Sequence, residues 1–131
     1  MLLAEDNPQE LLLLQEAFQS AALAVEIVCV PDGDELLQRL RLTADGHESY
    51  GLVVLDVHLP KRSASEVLMA LQSENRRLEM PVVVLTTLVS QADKAALLKL
   101  GVHEILSKPS DLNEYFVLST KLSSFFPSPS L

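Results

Sequence analysis

The stretch VVLDVHLP, residues 53–60, decides the fold. Three strand-forming apolar residues run without a polar break into one carboxylate, Asp56, and Pro60 closes the loop that follows. A strand with one wet face alternates apolar and polar residues. A continuous apolar run is instead covered on both faces, as in a parallel sheet between layers of helices. A carboxylate at the end of such a strand is costly unless it is paired. Asp56 therefore needs partners, and they must come from the ends of neighbouring strands.

Including this one, five apolar runs read as strands: residues 1–4, 25–30, 51–57 and 81–85, and Glu104–Ser107. PVVVL, at 81–85, is as continuous as GLVVLDV. Between the runs lie stretches with apolar residues three and four apart, such as Leu36, Leu37 and Leu40, then Val67, Leu68 and Leu71. Alternation of strand and helix means a parallel α/β sheet. Each helix start pairs a capping residue with an acid three positions later: Asn7 with Glu10, Asp32 with Glu35, Ser63 with Glu66, Ser90 with Asp93 and Asp111 with Glu114. The cap oxygen accepts from an orphan N–H, and the acid reaches back to the cap's own amide. Pro8 stands where a first-turn proline is favoured. The first run is short and the chain begins inside it, which leaves either a shortened strand or residues upstream. At the other end Phe125 and Phe126 read as packing the last helix onto the sheet. The chain reads as one domain over 1–131, with a core to about 125 and a short tail at 126–131.

Bulk properties narrow the function. The 131 residues are 48% hydrophobic and 21% charged, suited to a folded core. Ten Lys and Arg against 18 Asp and Glu give a formal net charge of −8. That argues against direct contact with nucleic acid, whose phosphates are gripped by basic surfaces; Lys61-Arg62 and Arg76-Arg77 are too small to form one. The single cysteine, Cys29, reads as a small buried apolar residue. No run reaches the ~20 apolar residues that span a bilayer, so the chain reads as soluble and cytoplasmic. His47, His58 and His103 have no metal-ligand spacing.

In an open parallel sheet, ligands collect beyond the carboxyl ends of the strands. The first run ends in Glu5-Asp6, the third near Asp56, the fourth in Thr86-Thr87 and the fifth in Ser107-Lys108-Pro109. Three acids in one place repel one another, and a divalent cation removes the conflict. A carboxylate site without His or Cys ligands favours Mg²⁺.

AEDNP, LDVHLP, VVLTT and SKPSD, in this order and spacing, resemble the receiver domain of two-component response regulators, across essentially the whole chain. EDNPQELLLLQEAF, LPKRSASEVL, MPVVVLTT and SKPSDLNEYF are most similar to stand-alone receivers, including those paired with bacterial phytochromes. The resemblance implies a flavodoxin-like, doubly wound five-stranded parallel sheet of order 2-1-3-4-5 with helices on both faces. It makes Asp56 the phosphoacceptor. Asp6, Asp56 and the backbone carbonyl of His58 would ligate Mg²⁺, with Glu5 acting through water. Thr86 would be the switch hydroxyl and Lys108 the ammonium that pairs with the phosphoryl group, and the Lys108–Pro109 bond would be cis. The implied partner is a sensor histidine kinase, a phytochrome-type photoreceptor kinase among the candidates. The domain would catalyse only its own phosphorylation and slow hydrolysis, and signal through a changed protein surface. Homodimerisation would use the face formed by the fourth helix, fifth strand and fifth helix.

Departures from the family pattern bear on output. Ser63-Ala64 replaces the usual Asp-Gly, and Ala tolerates positive φ poorly, so that loop is expected to differ. Ile105 stands where many receivers place a switch aromatic. His58 and Leu88 occupy positions that tune phosphoryl lifetime. Val57, Leu59, Leu88, Val89 and Ile105 are candidates for one apolar patch. Three other functions compete. A phosphohydrolase with an aspartyl-phosphate intermediate would place a second Asp where His58 stands. A flavodoxin-like electron carrier would need a hydroxyl-rich loop in place of EDNPQ. A phosphorylation-silent interaction module would differ only in failing to accept phosphate.

Overall fold

The computed structural model describes residues 1–87 and 90–126. Leu88 and Val89 of the expected patch, and residues 127–131 of the expected tail, lie outside them. Five strands alternate with five helices: β1 Leu2–Ala4, α1 Pro8–Ser20, β2 Val28–Val30, α2 Gly33–Ala44, β3 Val53–Asp56, α3 Ala64–Ser73, β4 Val82–Thr86, α4 Gln91–Lys99, β5 Glu104–Ser107 and α5 Leu112–Ser123. All pairings are parallel and the order is β2-β1-β3-β4-β5. This is the flavodoxin-like order anticipated from the resemblance.

The two-residue strand period sorts the sheet into two cores. Leu2, Ala4, Val53, Leu55, Val82 and Val84 face α2, α3 and α4 and meet Leu36, Leu40, Val67, Leu68 and Leu97. Met1, Leu3, Val54, Val83, Leu85 and Leu106 face the other way and pack on Phe18 of α1 and Leu118 and Leu122 of α5. Phe125 and Phe126 join this second core, as the sequence suggested. All four residues of β3 are buried, which is why its sequence carries no alternation.

Each helix begins at the anticipated cap, with the Asn7, Asp32, Ser63, Ser90 and Asp111 side chains accepting from backbone N–H groups. The reciprocal half of the box forms at Ser63, whose amide donates to Glu66. Glu114 turns instead to Ser110. The second strand is shorter than the apolar run from 25 suggested. The regular pairing starts at Leu2↔Val28, and beyond it Met1 N donates to Glu26 O at 2.8 Å and Met1 O accepts from Val28 N at 2.9 Å. Cys29, on this edge strand, is half-buried rather than enclosed.

The loop after Asp56 is clamped from outside the site. Gly33 N–H donates to Pro60 O at 3.0 Å. Asp34 accepts from Arg62 at 2.6 Å, and Asp32 lies 3.4 Å from Lys61. Ala64 is the fully buried first residue of α3, and the left-handed residue of the loop is Lys61, at φ 68°. The replacement of Gly by Ala at 64 therefore introduces no strain. Glycine is required at 33, where an added Cβ would lie 2.0 Å from Arg62 O. Gly33→Ala should lower stability by about 1–3 kcal/mol, the usual cost of overpacking, read as a lower urea midpoint with an unchanged slope.

Candidate functional site

Register sets the site. Because Ala4 pairs with Leu55, the next residues along, Glu5 and Asp56, leave the sheet side by side. Asp56 pairs with Leu85 and Thr86 with Ser107, so β4 and β5 deliver Thr86 and Lys108 to the same rim. Glu5, Asp56 and Thr86 are all buried. Lys108 Nζ lies 2.6 Å from Asp56 Oδ2, 2.8 Å from Glu10 Oε2 and 3.3 Å from Glu5 Oε2. The second oxygen of Asp56 accepts from the His58 amide at 3.0 Å. Leu3, Leu14, Leu85, Tyr115 and Leu118 wall the base of this cluster with apolar surface.

Oxygens of Glu5, Glu10 and Asp56 come within 4.8 Å of one another. One ammonium among three carboxylates leaves an excess of negative charge, which the protein relieves by keeping a proton. Burial, and then a hydrogen bond shared with Glu10, push the Glu5 carboxyl up to about 8, against the Asn7 amide and Lys108, which favour its anion. Burial would raise Glu10 too, but the Glu5 and Lys108 hydrogen bonds outweigh it and hold Glu10 below its usual value. For Lys108, burial works against the ammonium, and the hydrogen bonds to Asp56 and Glu10 overcome it and raise the pKa. A cluster of hard oxygens with surplus negative charge suits a divalent cation.

The anticipated residues distribute unevenly. Glu5, Asp56, Thr86 and Lys108 converge. Asp6 is exposed, and among the described residues its carboxylate lies outside the three-acid cluster. His58 presents its backbone to the site and its side chain to solvent. Ile105 is half-buried on β5 and packs into the core beneath α2, α3 and α4. One expectation is corrected: the Lys108–Pro109 bond is trans. Trans is the intrinsically favoured isomer even before proline, by about 0.5–1 kcal/mol, and Lys108 reaches Asp56 without the cis bond. One residue was missed. Glu10 reads in sequence as a capping acid, although an acid one turn after Glu5-Asp6 faces the same rim. A cavity of about 570 Å³ lies at the opposite end of the sheet, between Leu71, Arg77, Met80 and His103.

A doubly wound parallel domain that gathers acids and one lysine beyond its strand ends, with the buried Asp56 gripped by that lysine, has the fold and rim of a receiver-type signalling domain. Residues 1–118 match the response regulator receiver domain, and the chain belongs to that family. It is 30% identical to the response regulator Rcp1 of Synechocystis over 128 residues, covering 96% of this chain and 87% of that one. Among solved structures it resembles the phosphorylated cyanobacterial phytochrome response regulator RcpA, at 30% identity and a TM-score of 0.80 over 99% of this chain and 94% of that one. The Mn²⁺-bound form of Rcp1 superposes with a TM-score of 0.78 at 29% identity, covering 99% of this chain and 96% of that one.

The raised Glu5 carboxyl has a consequence for stability. Below pH 4.5 Glu5 is protonated in the folded and unfolded chain alike. Between 4.5 and about 8 the unfolded chain releases that proton while the folded one keeps it, so ionisation favours unfolding and stability falls as pH rises. Glu5→Gln imitates the protonated form. In metal-free buffer the stability of wild type relative to Glu5→Gln should decline from pH 4.5 to 8, measured by urea denaturation at each pH; a pH-independent difference would contradict the assignment.

Proposed function

We propose that Asp56 accepts a phosphoryl group from the phosphohistidine of a sensor kinase. The observation that carries this reading is the 2.6 Å contact between Lys108 Nζ and the buried Asp56 at the end of β3. An Asp56 oxygen attacks phosphorus in line while the P–N bond of the donor breaks. The imidazole leaves with the bonding electrons and takes up a proton, and the product is an acyl phosphate. Lys108 holds the charge of the transferred group. The Asp56 oxygen that faces the His58 amide is oriented by it. Thr86, at the adjacent strand end, is the hydroxyl that turns toward the phosphoryl oxygen.

Asp56, Asp6 and the His58 carbonyl would hold Mg²⁺, with Glu5 acting through water. Bound there, the cation offsets repulsion between two anionic reactants. Asp6 must rotate inward from its exposed position to take part. The likeness to Rcp1 and to a phytochrome response regulator supports a photoreceptor kinase as the donor and a cytoplasmic place of action. Output is a shift between two surface states. A second copy would dock on the face of α4, β5 and α5, helices on which Leu98, Leu112 and Val117 are exposed apolar residues. Ile105 replaces the aromatic readout with an aliphatic one.

The experiment is intact mass after incubation with acetyl phosphate and Mg²⁺. Wild type should gain one phosphoryl adduct that requires Mg²⁺, and Asp56→Asn none. Absence of the adduct in wild type, with acetyl phosphate and with a phosphorylated kinase, would favour the silent interaction module. Asp6→Ala should weaken Mg²⁺ binding at least tenfold by calorimetry, within the range for loss of a metal-site group; equal affinity would remove Asp6 from the site. Thr86→Ala should still form the adduct while losing any phosphorylation-dependent partner binding.

A further inference from the structure

Glu10 occupies the third position of α1, where an acid ordinarily reaches back to the amide of the cap residue. At α3 this happens, with Glu66 accepting from Ser63 N. At α1 it does not, because the Asn7 amide already donates to Glu5 Oε1 at 3.2 Å. Released from the cap, Glu10 points across the rim. Its Oε2 is buried and stands 2.8 Å from Lys108 Nζ.

An ammonium has three hydrogens and nothing else to offer. On Lys108 they face three carboxylates, Asp56, Glu10 and Glu5, at 2.6, 2.8 and 3.3 Å. A phosphoryl oxygen that needs this ammonium must displace one of them. Asp56 carries the phosphoryl group itself and Glu5 has the cation to answer. Glu10 has neither duty. We propose that Glu10 is a positioning residue that holds Lys108 in its resting place and competes with an incoming phosphoryl group for that ammonium. The inference rests on Asp56 being the phosphoacceptor.

Beryllium fluoride, an unreactive phosphoryl mimic, separates the two ideas. Its half-saturating concentration would be measured at saturating Mg²⁺ for wild type and Glu10→Gln, which keeps the side chain's size and removes its charge. The chain has no tryptophan, so calorimetry or fluorine NMR is the readout. Glu10→Gln should bind beryllium fluoride on the order of three- to tenfold more tightly, the scale of one charge-assisted contact relinquished, at Mg²⁺ concentrations saturating for each protein. The gain should persist in 1 M salt, where screening acts beyond roughly 3 Å and erases long-range repulsion but not a contact. Equal or weaker beryllium fluoride binding would overturn the proposal. So would a large loss of Mg²⁺ affinity, which would make Glu10 a metal ligand, or a gain abolished by salt, which would make it a distant repelling charge. Failure of wild type itself to bind beryllium fluoride would overturn the phosphoacceptor reading instead.

Discussion

A carboxylate at the end of a fully enclosed strand requires a counter-charge, and Lys108 is the one this fold supplies to Asp56. Much of the chain serves to bring that pair together. β4 must lie between β3 and β5 so that two strand ends converge from opposite sides, and the parallel register must end both at one height. Removing Lys108 would leave the buried Asp56 charge without its counter-ion, a larger loss than any surface ion pair represents, whereas removing Asp56 leaves Lys108 with Glu10 and Glu5. The same geometry orients the aspartate, with a backbone amide on one oxygen and an ammonium on the other.

The sequence carried the sheet and the helix starts because local and global signals agree there. Continuous apolar runs at 51–57 and 81–85 reflect burial on two faces, and the five caps reflect hydrogen bonds satisfied within three residues. The length of β2 was not legible, since pairing depends on how far the neighbouring strand extends. Among the site residues, Asp56 and Lys108 were readable from their positions before a loop and before a proline. Glu10 was not. Its local pattern fits a capping box, and only the three-dimensional fact that Glu5 already occupies the Asn7 amide redirects it. The isomer of the Lys108–Pro109 bond was likewise inferred from resemblance, and no local residue pattern determines it.

The consequences of Ser63-Ala64 show how a departure from a family pattern can be absorbed. A left-handed residue is present in the loop, but at Lys61, two positions before the helix cap. Ser63 then caps α3 with both halves of the box, and Ala64 fits into the core without strain. The constraint has moved to Gly33, across the gap, where backbone meets backbone. The loop that carries the His58 carbonyl is thus held by the start of α2, an element that contributes no side chain to the acid cluster.

Surplus negative charge is the link between this static arrangement and signalling. With one ammonium for three acids, the rim retains a proton on Glu5 and attracts a divalent cation. A phosphoryl group adds still more negative charge, so it is stable only if the cation and Lys108 both turn toward it. Lys108 follows β5, and its amide donates to Thr86 O at 2.8 Å. In the proposed switch, movement of the ammonium away from Glu10 and toward the phosphoryl group would begin where β5 is bonded to the end of β4. The helices that follow these two strands, α4 and α5, carry the exposed apolar residues Leu98, Leu112 and Val117. In the same switch, charge rearrangement at the rim would reach the surface through the ends of β4 and β5, and Ile105, packed against the core, would pass it on as packing rather than as rotation of a ring.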